Sequence, residues 1–189
     1  MKKIIWSLLI LLGIVIAISG CARWTDEPEE PGEAKYQLVV TVEVKGRINS
    51  SKGIYYIVMD TDGDSAGPGY DISLWEKRFY YIKLEDGFFY FAQNEEGSSE
   101  IKLTSNSIGE KKFQVTIALS DLEDASSIDI NVVTTDSDNN NYDHLDDGYF
   151  SIDSTILGSK EIRDEEDDSG DGGVDFDIVK VTAEITTLY

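Results

Sequence analysis

Leu38, Val40, Val42 and Val44 alternate with Gln37, Thr41, Glu43 and Lys45. A period of two assigns one side of an extended strand to a core and the other to water. Phe113, Val115, Ile117 and Leu119 repeat the rhythm, as do Ile128, Ile130 and Val132. Gly53 to Met59 is apolar on both faces, which predicts a central strand. Phe79 to Leu84 and Phe88 to Phe91 flank Glu85-Asp86-Gly87, and Asp-Gly between two such runs signals a hairpin. Glu100 to Leu103 predicts a further strand. Near the C-terminus the pattern changes phase: Val174, Phe176 and Ile178 give way to Val179, Val181, Ala183 and Ile185. A bulge or bend near Ile178 accounts for the switch. The one helical candidate is a single turn at Ser120-Asp121-Leu122-Glu123, with capping-box spacing.

Many short strands separated by glycine and aspartate turns predict an all-β fold, an antiparallel β-sandwich of jelly-roll or Ig-like type, over residues 35–189. Arg163 to Gly173 is acidic and glycine-rich and reads as a mobile loop before the last strand. No internal repeat is visible.

The first twenty residues follow another rule. Lys2 and Lys3 precede an apolar run from Ile4 to Ile18, long enough for a signal peptide but short of the ~20 residues a spanning helix needs. Ile18-Ser19-Gly20-Cys21 resembles the lipobox of bacterial lipoproteins. The resemblance implies cleavage after Gly20, lipid on Cys21, and an extracytoplasmic protein anchored to the cell membrane or outer membrane. One acyl chain binds only marginally, so stable anchoring takes two or more. Residues 21–34, with Pro28, Pro31 and five acidic side chains, then form an extended tether.

Charge narrows the partners. The full chain carries a formal −21, and loss of Lys2 and Lys3 takes it to −23. That excess argues against nucleic acid and against electrostatic docking on anionic lipid. It suits calcium or cationic partners, although the plainer reading is a soluble, self-repelling surface. Cys21 is the sole cysteine, so no disulfide forms within the chain.

Two acidic loops each follow a predicted strand. The first offers Asp60, Asp62 and Asp64, with Asp71 further on; the second offers Asp136, Asp138, Asn139 and Asn140, followed by Asp143 and Asp147. Calcium takes six to eight oxygens, and alternating carboxylates on a tight loop can converge on one ion. Ser65 and Asn141 stand where an EF-hand needs glycine, and strands replace its helices, so an EF-hand is rejected. Two readings stay open: calcium loops, and turn aspartates that bond their own backbone.

Eleven of the twenty aromatic residues fall between Tyr55 and Phe91. On strands they cannot all face one core, and a second face of Tyr and Trp suits the apolar C–H faces of sugars. Trp75, Tyr70 and Tyr81 are the candidate ligand contacts, against the alternative of core and cross-strand packing. The segment Tyr55 to Asp64, then Gly67-Pro68-Gly69, an aromatic hairpin and the Phe113 to Leu119 strand resembles the family-9 carbohydrate-binding modules and DOMON-like sandwiches over roughly 35–153. The resemblance implies a β-sandwich with structural calcium and, in some members, sugar or haem binding.

His144 is the sole histidine, which excludes multi-histidine zinc, and thiolate zinc is excluded likewise. His144 sits in an Asp/Asn loop and reads as a surface residue. A glycosidase needs only two carboxylates, which composition leaves open. The expected protein is nonetheless no enzyme: it is a membrane-anchored module binding polysaccharide or cell-wall glycan through calcium-stabilised loops. The alternative is an interaction lipoprotein that docks a surface protein.

Overall fold

A computed structural model describes residues 35–63, 66–165 and 170–187. The lipobox, Cys21, the tether, Asp64 and the 166–169 part of the acidic segment lie outside the described residues.

Within the compact unit that starts at Lys35, the strands in chain order are β1 (Tyr36–Val44), β2 (Ile54–Asp60), β3 (Tyr80–Glu85), β4 (Phe88–Gln93), β5 (Ile101–Lys102) and β6 (Asn106–Ile108). They continue as β7 (Lys112–Ala118), β8 (Ser127–Thr135), β9 (Asn141–His144), β10 (Phe150–Asp153), β11 (Gly158–Arg163) and β12 (Ile178–Thr187). They form an antiparallel β-sandwich. One sheet has the order β11-β12-β1-β7-β6; the other runs β10-β8-β2-β3-β4-β5, with β9 also paired to β8.

Period-two alternation builds the interface between the sheets. Leu38, Val40, Val42 and Val44 of β1, with Phe113, Val115 and Ile117 of β7, meet Tyr55, Ile57 and Met59 of β2 and Ile128, Ile130 and Val132 of β8 in one core. Burying side chains of this size contributes about 1.5–3 kcal/mol each before conformational entropy is counted. Tyr55 stacks on Phe176 and meets Phe113 edge-on. Its hydroxyl accepts from the Asn49 N–H and donates to the Asp175 carbonyl, so a polar atom enters the core with its bonds made.

The local patterns translate directly. Strand β2 lies between β8 and β3 with all seven residues buried. The β3–β4 hairpin turns at Asp86 (φ 49°) and Gly87 (φ 80°), the left-handed pair a two-residue turn requires. The phase switch near Ile178 is a register shift: Glu43 faces Lys180 but Val44 faces Ile178, leaving Val179 as the extra residue.

Other expectations need correction. Strand β8 is not half-buried: its outward Asp129, Asn131, Val133 and Thr135 are buried along with its apolar members and the inward Thr134, and the Pro68 carbonyl lies over Asn131. The helical turn is a 3₁₀ turn over Leu119–Leu122, with Ala118 as its N-cap and no side-chain cap bond. Glu123 does not close a capping box: it stands at φ 58° and accepts from the Tyr80 hydroxyl. The acidic segment is tied down where it is described: Asp164 N–H donates to the Val179 carbonyl, and Gly170–Asp175 forms 3₁₀ structure. Asp175 there accepts from the Arg47 N–H and the Asn49 side chain. Strands β6, β9, β10 and β11 had no signal, being short or, like β11, largely exposed.

Candidate binding face

Alternation that sends Tyr55, Ile57 and Met59 inward sends Tyr56, Val58 and Asp60 outward, and likewise Tyr81, Lys83 and Glu85 on β3. Strand β4 adds Phe88 and Tyr90, β5 adds Lys102, and β8 adds Asp129, Asn131 and Val133. These residues form the outer face of the seven-stranded sheet.

Half of that face is roofed. Residues 67–71 lie over it, followed by a 3₁₀ turn, Ile72–Leu74, capped by Asp71, which accepts from the Ser73 N–H and hydroxyl. Ile54, Tyr56, Val58, Trp75, Phe79 and Val133 form a second, smaller core beneath it. Trp75 is only 7% exposed. Its indole N–H donates to the Gly69 carbonyl at 2.7 Å, and its ring meets Tyr56 edge-on at 5.4 Å. Gly67 lets the roof approach closely, since a Cβ there would collide with the Tyr149 ring.

The other half is open. Tyr81 lies 6.3 Å from Trp75 and 6.1 Å from Tyr56 between ring centroids, and its hydroxyl donates to Glu100. Lys83 bridges Glu85 and Glu100 at 3.0 and 2.9 Å and lies 5.4 Å from the Tyr90 ring centre. Phe88 is 45% exposed beneath the Lys102 ammonium, 3.3 Å from its ring centre. Burial lowers the Lys83 pKa, but Glu100 and Glu85 outweigh it and hold the ammonium above its ordinary value. Burial, chiefly, pushes the Tyr56 hydroxyl up to about 12 and raises that of Tyr81. These phenols therefore stay neutral donors at physiological pH.

Of the three sequence-derived ligand residues, Trp75 and Tyr81 come together, Trp75 buried and Tyr81 partly open. Tyr70 stands apart, 52% exposed, its ring 4.4 Å from the His144 imidazole. Lys83, Tyr90, Phe88, Lys102 and Glu100 were not singled out by sequence. The alternation of β3 and β4 about the Asp86-Gly87 turn was the signal available for the first three.

The seven aspartates of the calcium reading have separate places. Asp60 ends β2, buried, and its carboxylate accepts from the Asp62 N–H. Asp62 pairs with Arg78, which also pairs with Glu76. Asp71 caps the 3₁₀ turn. Asp136 accepts from the N–H groups of Asp138 and Asn140 and from the Asn140 side chain, holding the tip of its own hairpin. Those bonds keep its carboxyl below the usual range. Asp138 is exposed on that tip. Asp143 is buried between the sheets, where it accepts from the His144 and Ile178 N–H groups. Asp64 lies outside the described residues. Among the described residues, no three His, Cys, Asp or Glu side chains are grouped to hold a metal ion.

Gly63-Asp64-Ser65-Ala66-Gly67 also fits the Gly-x-Ser-x-Gly spacing of a serine nucleophile elbow. That motif acts where a strand turns sharply into a helix. Here the chain passes from β2 to a loop and a three-residue 3₁₀ turn, and Ser65 lies outside the described residues.

No family model matches the chain, and neither a curated protein nor a solved structure matches it significantly. Among the described residues, no helix is long and apolar enough to cross a membrane.

Proposed function

We propose that this is a non-catalytic, lipid-anchored extracytoplasmic module that binds carbohydrate on the open half of the seven-stranded sheet, with calcium bracing its loops. The observation that carries the reading is the strip Tyr81, Tyr90 and Phe88, bordered by Lys83, Lys102, Glu85 and Glu100. Sugar rings offer apolar C–H faces to aromatic side chains and hydroxyls to charged groups, and this strip supplies both over a rigid sheet. The packed Trp75–Tyr56 pair supports Tyr81 from behind. Anchorage rests on the Ile18-Ser19-Gly20-Cys21 pattern.

Retention on a panel of insoluble polysaccharides tests the reading. Saturable retention that falls at least tenfold in Tyr90→Ala, with melting nearly unchanged, is expected. Retention on none of them rejects it. Cys21→Ser should abolish labelling by palmitate in a bacterial host.

One observation favours a second reading, a lipoprotein docking a protein partner. Phe88 stands exposed on the outer face at the β4–β5 edge, where the terminal strand is only two residues long and leaves most of the β4 edge open to a partner. A crosslinked partner lost in Phe88→Ser, without glycan retention, would select that reading.

A further inference from the structure

We propose that Asp60, Asp129 and Asn131 form a divalent-cation site of calcium type between the seven-stranded sheet and the Gly67-Pro68-Gly69 loop. Such a site deepens the calcium half of the proposed function and does not depend on the carbohydrate half. It also moves the ion from the loops to the sheet.

Asp60 and Asp129 are direct partners in the β2–β8 register, so their Cβ atoms stand about 5 Å apart on one face. Both are buried, at 2% and 8% exposure, although the outer face of a sheet is normally where carboxylates find water. Burying two adjacent carboxylates is costly, and a divalent cation held between them offsets that cost. Separately, Asn131 lies two residues along β8 on the same face and is 0% exposed. Its side-chain N–H donates to the Pro68 carbonyl at 3.0 Å, which places the amide under the same loop and fixes which end is oxygen. That oxygen, Oδ1, has no hydrogen-bond partner. A buried acceptor without a donor is costly, whereas a cation satisfies it.

The donor set is all oxygen: two carboxylates and one amide. Calcium prefers such donors at about 2.3–2.6 Å and completes six to eight positions with backbone carbonyls and water. Magnesium demands stricter octahedral geometry and holds its water more tightly, so calcium is the better fit. Neither histidine nor thiolate is needed.

The test is calorimetric titration of the full chain in detergent micelles with calcium chloride after chelator treatment, with melting followed in parallel. One ion per chain is expected, with a higher melting temperature in calcium. Asp129→Asn keeps the shape, removes one charge and should weaken binding at least tenfold. Asn131→Asp should tighten binding and lower the melting temperature in chelator. Asp136→Asn, on the hairpin tip, should leave affinity unchanged. In the unmodified protein, calcium should shift the NMR signals of the Asn131 side-chain amide, a readout that needs no substitution. No calcium-dependent heat, or shifts confined to residues 136–140, would overturn the site. Binding that survives both substitutions unchanged would do the same. Polysaccharide retention is scored on Tyr90→Ala in a separate assay, so failure of one reading leaves the other standing.

Discussion

The two outer faces of the sandwich come from the same alternation and have opposite fates. On the five-stranded sheet, the outward positions of β1 and its neighbours are Gln37, Thr41 and Glu43 against Thr186, Gln114 and Lys180. They pair across the strands: Gln37 donates to Thr186, Gln114 donates to Thr41, and Lys180 bridges Glu43 and Glu161. That face is a solvated ladder, and the pattern of β1 alternates as a half-buried strand should. On the seven-stranded sheet the outward positions of β2 and β8 are buried, and those of β3 and β4 are aromatic and cationic. A face that a loop must cover carries apolar and specifically bonded polar groups. A face left to water needs only cross-strand pairs worth a few tenths of a kcal/mol.

Substitutions can sharpen that contrast. Trp75→Ala should be the most damaging, costing about 3–5 kcal/mol in urea unfolding, since it opens the small core beneath the roof. A cost near zero would mean that the roof does not hold the outer face. Asp143→Ala comes next at about 2–3 kcal/mol, because it strands the buried Ile178 N–H and cuts a tie between the sheets. Hydrogen exchange at Ile178 should accelerate with it.

Acid should erode stability by a smaller step. Hydrogen bonds hold the carboxyls of Asp136, Asp153 and Asp175 below their ordinary value. Between that lowered value and the unfolded one of about 3.9, the unfolded chain binds more protons, so stability rises with pH. Their contribution is complete above the unfolded value and lost as pH falls through the folded one. Melting measured from pH 2 to 6 should show this slope, and Asp136→Asn should flatten it.

The smallest effects belong to the solvated ladder. Thr41→Ala and Lys180→Ala should each change stability by less than about 1 kcal/mol, because exposed pairs gain little over water. A larger loss in either would mean that this face, too, is covered by something.

The strands with signal were those whose neighbours in sequence already state their role: β1, β2, β5, β7, β8, the β3–β4 hairpin and the phase switch of β12. Short strands such as β9 and β10 exist because β8 offers them a partner, and no local pattern marks them. The aspartates divide similarly. Asp136 could be read as a turn residue from its spacing, and it is one. Asp143 sits seven residues later in the same acidic run yet serves a backbone N–H 35 residues away. Trp75 and Tyr81 could be suspected together from aromatic density; that one is roofed and the other open could not.

Sequence alone determined an all-β chain, its inward residues, one tight hairpin and one bulge, because alternation and left-handed turns are properties of adjacent residues. Only the tertiary structure decided which outer face is roofed, which aspartates turn inward and that Asp60 stands opposite Asp129. Strand register and loop docking join residues far apart in the chain, and a period of two says nothing about which distant residue lies across the gap.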